Sequence, residues 1–216
     1  MKLYKGISIS LVLLSTCISG QTANWMLKYN RDSIKVYYRK SPVSNIHEMR
    51  LTTKVESSLS SLVTLVDDVE SYTRWVFKTI KASDVKIISE TEKYYYILSD
   101  FPWPLNDRDY IAHTKLEQDV KTKIVTSTSA SSPKMVPLIK NVIRIELTKT
   151  KWIFTPINKN EVLIEYTLLA DPGGSLPDWA VNLALDKGPY ETMQKFIKLL
   201  KEDKYRNVKV PYIQEF

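Results

Sequence analysis

From residue 83 to residue 170 the sequence alternates apolar and polar residues with little interruption, and this run restricts the fold more than any other feature. A period of two sends successive side chains to opposite faces of a β-strand. The interruptions are short and polar, as at residues 158–160, and turns of that length join antiparallel neighbours. The pattern predicts a large antiparallel sheet, with strands near 85–89, 94–100, 109–117, 122–129, 143–149, 151–156 and 161–170.

Two further strands and one helix are predicted ahead of this run. Residues 33–39 and 46–55 alternate, and residues 41–45 supply a turn between them. Between residues 56 and 76 apolar residues recur at steps of three and four, which is the spacing of a buried helix face. Ser57 and Ser58 stand where an N-cap belongs, because a hydroxyl can accept a bond from a free backbone N–H.

The last predicted element is a helix from about residue 177 to residue 203. Its first part, residues 179–185, is apolar nearly all round, so it must be covered on every side. Its second part has one apolar stripe. Gly188-Pro189 lies between the two parts, and Pro189 has no N–H to donate, so a kink is expected there. The stripe consists of Met193, Phe196, Ile197 and Leu200.

Length and composition favour one α+β domain. The chain has 216 residues, 44% hydrophobic and 25% charged, and no linker or repeat divides it. Strands and helices that are segregated along the sequence are typical of α+β folds. A sheet this long must twist and curl, and the terminal helix is expected to fill its concave side.

The first twenty residues resemble a secretory signal peptide. Lys2 and Lys5 precede an uncharged, mostly apolar run over residues 6–18, and small residues follow it. We therefore expect residues 1–20 to be removed, residues 21–216 to form the mature domain, and the protein to be periplasmic or secreted. A buried first helix is one alternative. A lipoprotein anchored through Cys17, the single cysteine, is the other.

The net charge of +7 is spread along the chain, and no run of Lys or Arg exceeds two. Nucleic-acid binding usually needs clustered basic residues, so it is not expected. A scattered excess fits transient contact with anionic membrane surfaces, although it also fits simple solubility.

Three segments carry a resemblance to a known family. Residues 101–110 (FPWPLNDRDY) resemble the Pro-x-Pro…Arg-Asp segment of START (StAR-related lipid transfer) domains. Residues 171–182 (DPGGSLPDWAVN) resemble the family's entry to its last helix, and residues 187–192 (KGPYET) resemble a mid-helix segment of bacterial members. The resemblance implies a helix-grip fold: a curved antiparallel sheet around a long C-terminal helix, with a tunnel for one lipid. It implies neither a cofactor nor a chemical reaction.

Aromatic residues on the predicted strands are the candidate ligand contacts, because aromatic rings with hydroxyl tips suit a mostly apolar pocket. The alternative is that they fill a solid core. Arg108 is a candidate anchor for a polar headgroup, with Asp107 or Asp109 as its expected partner, although Arg108-Asp109 is also compatible with a structural ion pair. The predicted ligand-binding residues are Tyr94, Tyr96, Arg108, Tyr110, Trp152, Phe154, Ile164, Tyr166, Val181, Leu185 and Met193.

An enzyme is the main rival interpretation, since related grip folds include aromatase/cyclases and hydrolases. His47 and His113 are the only histidines, and neither has a visible partner in the sequence. No Gly-x-Ser-x-Gly, metal-spaced cluster or phosphate loop occurs. The sequence thus favours a non-enzymatic, monomeric lipid carrier or sensor without metal or cofactor. Residues 130–140 and 188–189 are the candidate gates through which a ligand would leave. A membrane-anchored interaction module stays open as an alternative.

Overall fold

The structure, a computed structural model, describes residues 24–41, 46–174, 176–177, 179–180 and 187–216. In this part of the chain ten strands form one sheet in the spatial order β1-β2-β3-β10-β9-β7-β6-β5-β4, and β8 pairs with β6. The β6–β8 pair is parallel and the others are antiparallel. The strands are β1 Met26–Arg31, β2 Ile34–Lys40, β3 His47–Glu56, β4 Thr79–Ser89, β5 Glu92–Ser99, β6 Asp107–Gln118, β7 Val125–Ser131, β8 Val142–Arg144, β9 Leu147–Asn158 and β10 Glu161–Asp171.

The predicted α+β fold with an antiparallel curved sheet and a C-terminal helix is confirmed. The prediction misses β1, misplaces the division between β8 and β9, and starts β4 at residue 85 where the strand begins at Thr79. The alternation does not predict β1, because β1 is a largely exposed edge and lacks the pattern of a half-buried strand. β9 runs unbroken through Thr150, where the sequence pattern suggests a division, and the break falls earlier, between β8 and β9.

Three α-helices and one short 3-10 helix accompany the sheet in the described residues. They are α1 (Leu59–Asp67), the 3-10 helix (Val69–Ser71), α2 (Tyr72–Trp75) and α3 (Gly188–Leu199). Ser58 caps α1, and its hydroxyl accepts a bond from the Ser61 N–H, as predicted. In the described part of the chain, no helix is both long enough and apolar enough to cross a membrane.

The second part of the C-terminal helix is described from Gly188 onward, and its end differs from the prediction. Gly188 and Pro189 lie in the first turn of α3, where a missing N–H costs nothing, so they begin the described helix. The helix ends at Leu199 and not at Asp203, and turns follow it. A Cβ at Gly188 would lie 3.3 Å from the Phe77 ring, so glycine permits the close approach of α3 to the segment after α2.

The turn after β10 places the chain against β8. Gly173 and Gly174 have φ of +68° and +64°, which L side chains rarely adopt. A Cβ on Gly173 would also lie 3.2 Å from Ile143. Both positions therefore favour glycine, and the turn holds the chain after β10 against β8.

The core lies between the concave face of the sheet and the helices. Trp75 packs edge-on against Phe196 of α3 at 5.0 Å and against Trp152 of β9 at 6.1 Å between ring centroids. Phe196 also stacks on Trp152 at 5.3 Å. These three rings connect α2, α3 and the sheet, so the terminal helix is held by aromatic packing.

The residues after α3 form a C-terminal strap, residues 204–216, which crosses α1. The Glu215 carboxylate accepts bonds of 2.9 Å from the backbone N–H groups of Leu59 and Ser60, the first two residues of α1. A carboxylate there satisfies free donors and complements the helix dipole. Gln214 exchanges two further bonds with Gln118. The strap is thus tied to α1 and to the turn after β6.

The predicted signal peptide (residues 1–20), Cys17 and the proposed turn at 42–45 lie outside the described residues.

Candidate functional site

The concave face of the sheet carries five of the predicted aromatic and aliphatic ligand contacts. Trp152 is paired with Tyr166, and Phe154 is paired with Ile164, across β9 and β10. Tyr110 of β6 packs against the same core. The structure therefore places Tyr110, Trp152, Phe154, Ile164 and Tyr166 on the face predicted from the alternation. Their contact with a ligand stays a prediction.

The inward orientation predicted for Tyr94 and Tyr96 is wrong. Tyr95 points to the concave side, where its ring meets Tyr72 at 5.7 Å and Tyr110 at 6.4 Å. Tyr94 stacks on His113 at 4.4 Å on the other face. Three consecutive tyrosines give no signal for which parity faces inward, and a shift of one residue exchanges the two faces.

Four tyrosines belong to the core on the concave side. Burial raises the pKa of Tyr72, Tyr95, Tyr110 and Tyr166, and the nearness of Tyr95 raises it further for the other three. The Tyr72 hydroxyl donates to the Val66 carbonyl at 2.6 Å. The hydroxyls are therefore neutral across the physiological pH range, and the site offers uncharged polar groups in an apolar wall.

Two of these tyrosines, Tyr110 and Tyr166, pack against the core and still have accessible surface. Tyr110 and Tyr166 are only partly buried, as is Leu168 beside them on β10, although all three pack against the core cluster. Burial nevertheless raises the pKa of both tyrosines strongly. Tyr166 also stacks on Trp152 at 4.2 Å. Tyr110 and Tyr166 are therefore tyrosines of the concave face whose surface is available to a ligand.

Arg108 is buried, with 2% of its surface exposed. The prediction that Asp107 or Asp109 forms an ion pair with it is wrong. Its guanidinium lies 4.3 Å from the Phe101 ring centroid, and Nη1 donates to the Asn106 carbonyl. Its Nε is buried without a hydrogen-bond partner. Burial lowers the pKa of Arg108, and the Asp107 charge opposes that shift. Neither Asp107 nor Asp109 forms an ion pair with Arg108, since nearby groups engage both carboxylates.

Asp109 instead pairs with Arg144 on the convex side. Arg144 Nε and Nη2 donate to the two carboxylate oxygens at 2.6 and 3.0 Å, and both side chains are buried. Burial raises the pKa of the neighbouring Tyr96 to about 12, and the Asp109 charge contributes to this rise. Arg144 further donates to three loop carbonyls, those of Pro133, Val136 and Pro137. One arginine thus fixes the loop 132–141.

The remaining predicted site residues fall in two groups. The first group is Met193 of α3, which is buried and faces the core. The second group, Val181 and Leu185, lies outside the described residues. Of the two histidines, His113 bonds Glu92 at 2.7 Å on the convex face, and His47 is exposed at the start of β3. In the ranges that the structure describes, no cluster of His, Cys, Asp or Glu could hold a metal ion.

One end of the sheet has a rim of exposed apolar side chains. Because β6 and β8 are parallel neighbours, the loops before them, 100–106 and 132–141, lie at the same end. The turn at Gly173 packs on β8 and leads to Trp179. We define the rim as Trp103, Met135, Leu138, Ile139 and Trp179, and Lys134 and Lys140 flank residues 135–139 in the sequence.

Comparison with known proteins bears on this site. A model of the START domain family matches residues 13–206. An uncharacterized protein of Pseudomonas aeruginosa is 23% identical over 193 residues, which are 86% of this chain and 94% of that protein. The phosphatidylcholine transfer protein of Mus musculus is 25% identical over 186 residues, 82% of this chain and 83% of that protein.

Solved structures agree in fold. A STAR-related lipid transfer protein from Xanthomonas axonopodis superposes with a TM-score of 0.75 and 27% identity, over 82% of this chain and 99% of that one. Human STARD10 superposes with a TM-score of 0.69 and 21% identity, over 81% of this chain and 71% of that one. At that identity the second match bears on the fold alone.

Proposed function

This chain belongs to the START domain family, and from that premise we propose that it is a lipid carrier that holds one lipid against the concave face. The observation that supports this best is the pair Tyr110 and Tyr166, which are desolvated and still have free surface. An alkyl chain contributes roughly 0.8 kcal/mol for each CH₂ removed from water, so a closed tunnel can retain a lipid without a covalent bond.

Binding without catalysis fits the chemistry of the concave face. The tyrosines there carry hydroxyls with raised pKa values, which makes them poor bases near neutral pH. Of the two histidines, His113 lies on the convex face, and His47 is exposed at the start of β3. The groups available on this face can orient a ligand and donate to it, and that suffices for a carrier.

We further propose that the carrier works outside the cytoplasm, on the basis of the basic and apolar pattern of residues 1–20. A phospholipid is the first ligand class to test, because one relative is named for phosphatidylcholine transfer. Lipidation at Cys17 is the alternative to cleavage before Gln21.

A bulky substitution on the concave face should displace the lipid. Leu168→Trp extends a ring from β10 toward the space beside Tyr166, and we expect at least a tenfold loss of co-purified lipid in native mass spectra. Leu163→Trp makes the same change on the convex side of the same strand and should bind as the wild type does. Overpacking costs roughly 1–3 kcal/mol, so circular dichroism must show both variants folded.

Wild-type protein without bound lipid, after expression and after incubation with phosphatidylcholine vesicles, would contradict the proposal. Equal lipid loss in Leu163→Trp would contradict the concave location. The same spectra report the N-terminus, which should be Gln21.

The rim is proposed as the surface that meets an anionic membrane. Trp103 and Leu138 are 91% and 74% exposed, and tryptophan favours the boundary between headgroups and acyl chains. Lys134 and Lys140 adjoin these apolar residues and would lie near anionic headgroups. A carrier that docks with this end would present its site to the bilayer.

The double variant Trp103→Ser with Leu138→Ser should weaken binding to phosphatidylglycerol vesicles by at least tenfold, because each large apolar side chain contributes roughly 1.5–3 kcal/mol on burial. Val120→Ser is the control, since Val120 is 67% exposed in the turn at the other end of β6. Sedimentation with the vesicles measures both. If Val120→Ser weakens binding as much as the double variant, the rim has no special role.

A further inference from the structure

We infer that the bound ligand carries an anionic group, a carboxylate or a phosphate, and that Arg108 is the residue that selects it. This inference rests on the proposed lipid-binding function and narrows it to anionic lipids.

Arg108 lies on the ligand side of the sheet. It is paired with Ser99 across β5 and β6, and Tyr110 is paired with Ile97, so Arg108 and Tyr110 share the concave face. The two residues are separated by about 7 Å along the strand. A ligand held by its anion at Arg108 would therefore extend its apolar part over Tyr110.

Arg108 differs from the other buried basic side chains in the described residues, which are Lys93 and Arg144. Lys93 Nζ lies 2.8 Å from Asp67 and 3.4 Å from Asp84. Arg144 forms a two-bond pair with Asp109. Among the described residues, no carboxylate oxygen forms such a pair with Arg108, so this buried guanidinium has no acid bonded to it.

A buried charge without a partner is costly, and removing one member of a buried pair is strongly destabilising. The carboxylates beside Arg108 in sequence are already engaged: Asp107 accepts the Phe101 N–H, and Asp109 is held by Arg144. Asp107 keeps its charge nearby, but neither carboxylate bonds the guanidinium, so we assign the anion that bonds the free Nε to the ligand.

The Arg108 guanidinium is held in a fixed orientation and has a free donor for an anion. The Phe101 ring covers one of its faces at 4.3 Å, and Nη1 is fixed by the Asn106 carbonyl. Nε has no partner, and an arginine with a fixed plane can offer two N–H groups to one carboxylate or phosphate. Phe101 and Asn106 belong to the loop that carries Trp103, so the anion would be bound close to the rim.

The test compares matched ligands by competition against a fluorescent phospholipid. Palmitate is compared with hexadecanol, and lysophosphatidic acid with monoacylglycerol, so that a carboxylate and a phosphate are examined separately. We expect the wild type to bind at least one anionic ligand ten times more tightly than its neutral counterpart. Arg108→Gln should lose that preference and keep its affinity for the neutral ligands within about a factor of two.

Arg50→Gln is the control. Arg50 also has a buried Nε without a partner, but it lies on the convex face between the rings of Trp25 and Tyr37. Its substitution should leave the preference unchanged. Arg108→Lys keeps the charge and serves if Arg108→Gln fails to fold; it should retain a preference smaller than that of the wild type.

Equal affinity of the wild type for both members of each pair would overturn the inference and leave lipid binding intact. Failure of all four ligands and of the fluorescent phospholipid would overturn the proposed function itself. A preference that persists in folded Arg108→Gln would show that another group selects the anion.

Discussion

Replacing Asp109 with alanine is expected to lower the free energy of unfolding by about 3–5 kcal/mol, because the change leaves Arg144 buried without its counter-charge. Both members of the pair are almost inaccessible, and two hydrogen bonds join them. Arg144 also donates to three carbonyls of the loop 132–141, so this loop should become more open to proteolysis. Urea unfolding followed by circular dichroism measures the first effect, and limited trypsin digestion measures the second.

The control for this prediction is an exposed ion pair in the same protein. Lys78 and Asp100 are 3.2 Å apart, and each side chain is at least 40% exposed. Asp100→Ala should cost less than about 1 kcal/mol, because exposed pairs contribute little. The double variant Asp109→Leu with Arg144→Met removes both charges and should recover part of the loss. A loss for Asp109→Ala no larger than for Asp100→Ala would show that the buried pair is not required.

Phe196→Ala is expected to cost about 3–5 kcal/mol, which is typical when a buried aromatic ring leaves a cavity. Phe196 is fully buried and is the ring of α3 that packs against both Trp75 and Trp152. Its loss should loosen the terminal helix, so amide exchange in α3 should accelerate more than in β9 and β10.

Lys195→Ala, on the exposed side of the same helix, should change the free energy of unfolding by less than about 0.5 kcal/mol. Phe196→Leu keeps most of the side-chain volume, so its loss in free energy of unfolding should lie between those of Phe196→Ala and Lys195→Ala. A small loss for Phe196→Ala, with α3 exchange unchanged, would mean that the helix is held by other contacts. Thermal unfolding of the three variants gives an independent measurement.

The sequence predicts the sheet well, because alternation is a local property that survives in the fold. β2, β3 and the strands from β4 to β10 overlap the alternating segments, although β4, β8 and β9 have other bounds, and the α1 cap is one of the two serines predicted for it. Glycine is also informative because it is scarce in this chain: the turn at Gly173 and the close approach at Gly188 both need the absence of a side chain.

The candidate site is only partly predictable, since its details depend on residues far apart in sequence. The parity of Tyr94, Tyr95 and Tyr96 is set by pairing with β6, and three identical residues do not reveal it. Asp109 is paired with Arg144, which is 35 residues away, so the neighbour of Arg108 in sequence is a misleading candidate. That the buried Nε of Arg108 has no partner can be recognised only once the positions of the Asp107 and Asp109 carboxylates are known.

The C-terminal strap has a consequence for the order in which the protein is completed during synthesis. The bonds that finish the first turn of α1 join residues separated by 155 and 156 positions along the chain. The ribosome makes α1 early, but the carboxylate that caps it belongs to Glu215 and is made much later. Contacts so distant form slowly, because a long loop must close first. We therefore expect the first turn of α1 to gain its full protection only after Glu215 has left the ribosome, later than the sheet.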